Sequence, residues 1–187
     1  MKYIYFFILV VFISCDKSST INNSPIIEQG VFELTTSSFA NNGIIPDKFS
    51  CKVSNQVFMP FNWKNAPKGT LSFVLLMEDS DAIPVAGYVW DHFLLYNISA
   101  NENAIKEGNN QTTPLPANAL IGKNSFGQNN YGGPCPPVGQ THTYTFSLLA
   151  LDKADLGLKS GLSKEEIWNL ANGHILGTAK YKGKFTQ

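Results

Sequence analysis

The stretch Leu71-Ser72-Phe73-Val74-Leu75-Leu76-Met77 is apolar at every position but one. A strand with one wet face alternates polar and apolar residues, whereas a continuous run belongs to a central strand covered on both sides. Such a strand needs hydrogen-bonding neighbours at both edges and a layer on each face. The chain supplies the neighbours: Val31 to Thr35, Phe58 to Trp63, Val89 to Ile98, His142 to Leu151 and Ile175 to Phe185 all read as strands. The turn-forming Asn65-Ala66-Pro67-Lys68-Gly69 separates two of them. One helix is expected near the end, where Ser163 and Glu166 form a capping box. Ile167 and Leu170 give this helix an apolar side, and Gly173 stops it. Many strands and one late helix predict a mainly β sandwich with a few peripheral helices.

The bulk numbers agree with a folded domain. Hydrophobic residues make up 43% and charged residues 15%, which excludes a disordered tail. Lys and Arg balance Asp and Glu at 14 each, so no broad basic field exists to attract nucleic acid.

The N-terminus reads as an address. Lys2 precedes an apolar run from Ile4 to Ile13, too short to cross a bilayer as a helix and typical of a secretory signal. Ser14-Cys15 after Phe12-Ile13 resembles a lipobox, in which Cys15 is lipidated and becomes the first mature residue. Residues 16–29 are polar and rich in Ser and Asn, as expected of a tether. The expected organisation is a signal over 1–14, a tether over 15–29 and one domain over 30–187, exported and anchored at the cell envelope. With Cys15 set aside, Cys51 and Cys135 remain. An even pair in an exported chain leaves a disulfide and two buried free thiols both open.

Polar residues concentrate against the apolar strands in three places. Glu78-Asp79-Ser80-Asp81-Ala82-Ile83-Pro84 caps the central run, and Trp90-Asp91-His92-Phe93 interrupts another strand. Tyr131-Gly132-Gly133-Pro134-Cys135-Pro136-Pro137 leads into His142-Thr143-Tyr144. Taken singly these are a turn cap, a core histidine and a loop. Together, two imidazoles, a phenol and a carboxylate make a kit for binding an oxyanion or moving a proton. The long Gly- and Pro-punctuated segment from Asn101 to Gly139 reads as a functional loop.

The order Asp-x-Asp-Ala, then His before an aromatic residue, then Gly-Gly-Pro-Cys-Pro-Pro-x-Gly and His-x-Tyr resembles the phosphatidylethanolamine-binding protein family, in its bacterial Raf-kinase-inhibitor-like branch. Ile45-Pro46-Asp47-Lys48-Phe49-Ser50-Cys51, Tyr96-Asn97-Ile98 and Gly173-His174-Ile175-Leu176-Gly177 extend the likeness over nearly the whole domain. The resemblance implies an antiparallel Greek-key β-sandwich. It assigns Asp79, His92, His142 and Tyr144 to a ligand pocket, with Trp90 beside it and Cys135, Pro136 and Pro137 on its rim. His174 matches a structural position. Three departures stand out: Ser80 where Pro is usual, Phe93 where Trp is common, and Thr143 where Arg often lies. The last removes a fixed positive charge expected near the pocket.

These features imply a non-catalytic module that binds a small anion or phosphorylated head group, with partly protonated His92 and His142 as donors. Two other classes of function fit parts of the sequence. Inhibition of a protease or kinase would act through the 101–130 loop, although an envelope lipoprotein does not readily meet a cytoplasmic kinase. A hydrolase would use the His and Asp cluster, but no Gly-x-Ser-x-Gly elbow supplies a nucleophile. No close-spaced ligand pair points to a metal, and no motif calls for a cofactor.

Overall fold

The computed structural model describes residues 30–109 and 113–187. The expected signal, Cys15 and the tether to residue 29 lie outside the described residues. In chain order the strands are β1 (Glu33–Thr35), β2 (Gly43–Ile44), β3 (Phe61–Lys64), β4 (Ser72–Asp79), β5 (Trp90–Ser99), β6 (Ala104–Ile105), β7 (Leu120–Ile121), β8 (Thr141–Leu151) and β9 (Ile175–Thr186). Two α-helices join them, α1 (Ile83–Ala86) and α2 (Lys164–Ala171), with a short 3-10 turn at Asp47–Phe49.

The strands form a three-stranded sheet, β1-β3-β6, and a six-stranded sheet, β2-β9-β8-β4-β5-β7. The apolar run becomes β4, paired with β5 on one edge and β8 on the other. Its two faces serve two cores. Phe73, Leu75 and Met77 pack with Phe146, Leu148 and the three-stranded sheet's Leu34, Phe61 and Trp63. Val74 and Leu76 pack with Leu94, Leu149, Ile167 and Ala171 on the other side. Strand β8 has core residues on both faces along its second half, and β9 alternates buried with exposed residues from Ala179 to Thr186.

The capping box of α2 forms, with Ser163 Oγ accepting from Glu166 N at 3.2 Å and Glu166 Oε2 accepting from Ser163 N at 2.8 Å. The apolar side differs from expectation: Ile167 and Ala171, one turn apart, are buried, while Leu170 is exposed. Pairing is antiparallel except for β2 with β9, which is parallel. The 101–139 segment is not one open loop, because β6 extends the small sheet from β3 and β7 extends the large one from β5. Two-residue strands are too short to leave a periodic signature.

Candidate functional site

Three neighbouring strands bring their polar ends together at one end of the large sheet. Asp79, the last residue of β4, stands opposite Trp90 of β5 and Tyr144 of β8. Alternation along β8 places His142 and Tyr144 on the Asp79 side and Thr143 on the other. His92 arrives by a different device. From Met77 to Glu78 is one step on β4, but from Phe93 to Asp91 is two on β5. This bulge turns consecutive residues to one face. Phe93 therefore joins the main core, Asp91 turns to the α2 side, and His92 between them reaches the pocket.

Lys164 of α2 holds the bulge from behind, with Nζ 2.7 Å from Asp91 Oδ1 and 2.9 Å from Glu78 Oε1. Burial raises Asp91 above the ordinary carboxylate range, with the Lys164 contact opposing. Burial also works against the Lys164 charge, but its two carboxylate partners outweigh this and raise its pKa.

Asp79, Trp90, His92, Cys135, Pro136, Pro137 and His142 all line one cavity of about 280 Å³. Tyr144 does not. It is fully buried behind the wall, its ring meeting His92 edge-on at 5.1 Å. Among the described residues its hydroxyl has no hydrogen-bond partner of normal geometry. Burial first, and the Asp79 charge second, push its pKa far above the usual tyrosine value. Tyr144 is thus a neutral group under the site.

The hydrogen bonds assign the ring protons. His142 Nδ1 donates to Asp79 Oδ2 at 2.7 Å, and the other carboxylate oxygen accepts from Asp81 N at 2.9 Å. The far nitrogen, Nε2, meets Gln140 Oε1 at 3.2 Å. His92 Nδ1 lies 2.8 Å from the Gly132 carbonyl oxygen, which only accepts, so Nδ1 carries a hydrogen. Nε2 of a neutral His92 is then an acceptor. Burial pushes His92 below the ordinary histidine range, and the Gly132 bond and Asp79 charge offset this only in part. The protonated share of His92 in the free pocket is therefore smaller than an exposed histidine would have at the same pH.

The rim is a rigid wall running from Tyr131 to Pro137. Cys51 and Cys135 are bonded, their Cα atoms 5.4 Å apart across 84 residues of chain, which resolves the open choice. Tyr131 donates to the Phe49 carbonyl at 2.7 Å. A side chain at Gly133 would meet Phe49 O at 2.4 Å, and one at Gly132 would meet the Phe126 ring at 2.6 Å, so only glycine allows this approach.

Phe126 carries no signal in the sequence, since its loop has no periodicity. It lines the cavity and packs edge-on against Trp90 at 5.2 Å and His92 at 5.6 Å. Trp90 stacks in turn on Tyr88 at 5.6 Å. Helix α1, also unanticipated, contributes Val85 and Ala86.

The three departures act less directly than expected. Thr143 faces away from the pocket and its N–H donates to Asp81 Oδ2 at 2.8 Å. The charge that an Arg would bring at this position would therefore lie beside the pocket and not in its lining. Phe93 points into the core, stacked on Phe58 at 5.5 Å. The turn at Ser80 is held by Asp79 itself through Asp81 N. His174 binds Asp152 at 2.8 Å at the opposite end of β8, away from the cavity.

Fold and site together define a two-sheet binding domain with a buried histidine–aspartate pair beside a small apolar-walled pocket. Residues 35–186 match the profile of the family described as phosphatidylethanolamine-binding protein. The chain belongs to the phosphatidylethanolamine-binding protein family. It is 36% identical over 152 residues to a UPF0098 protein of Methanothermobacter thermautotrophicus, covering 81% of this chain and 97% of that one. It is 34% identical to a UPF0098 protein of Aquifex aeolicus, covering 89% and 96%. Among solved structures, the homologue CT736 of Chlamydia trachomatis superposes with a TM-score of 0.75 at 30% identity, over 84% of this chain and 98% of that one. YbcL of Escherichia coli gives 0.77 at 26% identity, over 84% and 99%.

Proposed function

We propose that this domain is a non-catalytic binding module whose pocket takes a small anion or a phosphorylated head group. One observation carries the reading: His92 has its Nδ1 committed to Gly132, leaving Nε2 for a ligand in a cavity it shares with the Asp79–His142 pair. A neutral Nε2 accepts, so the best-suited ligand brings an O–H of its own beside an anionic oxygen. A monoprotonated phosphate group has both. Proton transfer to His92 then converts the contact into a charge-assisted bond.

The absence of catalysis in this reading is supported by the far end of the pair. His142 Nε2 meets an amide where a hydrolytic triad would place a hydroxyl nucleophile. Cys15 is the proposed lipid attachment point, which would hold the domain at the envelope membrane.

Isothermal titration of phosphate, phosphoethanolamine and acetate into the wild type and His92→Ala tests the pocket. The expected result is binding by the wild type that weakens about tenfold or more in the variant. Equal binding by both would remove His92 from the site. Labelling with a fatty-acid analogue tests the anchor, with incorporation expected in the wild type and lost in Cys15→Ala.

A further inference from the structure

A second and larger cavity, about 470 Å³, lies along the same wall. It shares Phe126 and Cys135 with the histidine pocket. Gly132 and Gly133 line it, and Gly132 is the residue whose carbonyl holds His92. Both cavities are near or within the roughly 300–1,000 Å³ of small-molecule sites.

Its chemistry differs sharply from that of its neighbour. Among the described residues its walls carry five side-chain amides, those of Asn55, Gln56, Asn109, Gln128 and Asn130, and no charged side chain. The Tyr131 phenol is already committed to Phe49, and both cysteines are in the disulfide. Gln56 Oε1 accepts from Gly133 N at 2.6 Å, which leaves its N–H groups to donate elsewhere. Asn55 is exposed and makes no hydrogen bond to a described residue. Gln128 Oε1 already accepts from Asn130, whose own Oδ1 accepts from Asn124. The ligand would therefore be met chiefly by the Asn55 amide and the N–H groups of Gln56 and Gln128, which match a hydroxyl or carbonyl without charge. A charged group placed there would shed water without gaining a counter-charge. Phe126, 46% exposed, adds an apolar face suited to the C–H side of a sugar ring.

We propose that the two cavities form one bipartite site for a phosphate-bearing saccharide, with phosphate in the histidine pocket and the uncharged sugar ring in the amide cavity. Phe126 and Cys135 line both halves and join them. The inference rests on the anion reading of the histidine pocket and extends it.

The test compares inorganic phosphate, glucose 1-phosphate and N-acetylglucosamine 1-phosphate by isothermal titration against the full domain. At least one sugar phosphate is expected to bind about tenfold or more tightly than phosphate. Asn55→Ala should shrink that ratio, and Asn55→Trp, which fills the cavity, should abolish it; both lie in an exposed loop. A ratio near one in the wild type overturns the inference and leaves the anion pocket standing. So does a ratio that survives Asn55→Trp. No binding of phosphate or of either sugar phosphate overturns both.

Discussion

His92 and Gly132 are joined by a 2.8 Å hydrogen bond from the ring Nδ1–H to the carbonyl oxygen, within a wall that the Cys51–Cys135 bond ties down. The bond sets the orientation of the ring and makes Nε2 the atom that a ligand meets. Burial pushes His92 below the ordinary histidine value, so the free pocket favours the neutral ring. Anion affinity should therefore rise as pH falls toward the lowered His92 value and level off below it. Titrations with phosphate across that range check this, and His92→Gln should flatten the part of the profile due to His92.

The same shift has a stability consequence in the ligand-free protein. The unfolded chain protonates His92 at about 6.5, whereas the folded chain resists until lower pH. Above that unfolded value the group contributes no pH slope. As pH drops through it, the unfolded state binds more protons and stability declines. Denaturant midpoints measured at intervals below pH 7 should fall, and the fall should be shallower in His92→Gln.

Asp79 and His142 are both buried, so removing one partner leaves the other without compensation. Asp79→Ala should lower stability by about 3–5 kcal/mol. It also frees the N–H of Asp81 and loosens the turn after β4. Asp79→Asn keeps an acceptor and should lose less. Urea unfolding of the two variants separates these outcomes.

Lys164 stands between Glu78 and Asp91, the pair that flanks the β5 bulge. These groups are partly exposed, so the loss on Lys164→Met should be about 1 kcal/mol. The larger effect is expected on ligand binding, because the bulge aims His92. A drop in phosphate affinity with nearly unchanged stability is the expected signature, read by titration and thermal melting.

Reduction or removal of the Cys51–Cys135 bond frees an 84-residue loop of chain and the rim of both cavities. Loss of about 2–4 kcal/mol is expected for the double serine variant. For a domain of this size that lowers Tm by roughly 5–15 °C. A melt with and without reductant gives the same comparison in the wild type.

Much of this architecture was legible in the chain. The unbroken run of β4, the alternation of β9 and the capping box of α2 are local patterns, and each produced the expected element. Cys135, Pro136, Pro137 and three of the four polar pocket residues were found through family resemblance and do line the cavity. What was hidden depends on tertiary pairing. The bulge at His92 is a mismatch between two strands and leaves no mark on either sequence alone. The family resemblance assigns Tyr144 to the pocket lining, but its burial is decided by the packing of β8 against its neighbours. Phe126 sits in a segment with no periodicity, and β6 and β7 are too short to have any.

Nitrogen-15 NMR of the histidine rings tests the central claim most directly, because it reads the His92 tautomer and charge with and without phosphate. The account predicts a neutral ring with hydrogen on Nδ1 in the free protein near pH 7, moving toward the doubly protonated form as phosphate saturates. A His92 ring whose nitrogen shifts and pKa stay the same under saturating phosphate would contradict it.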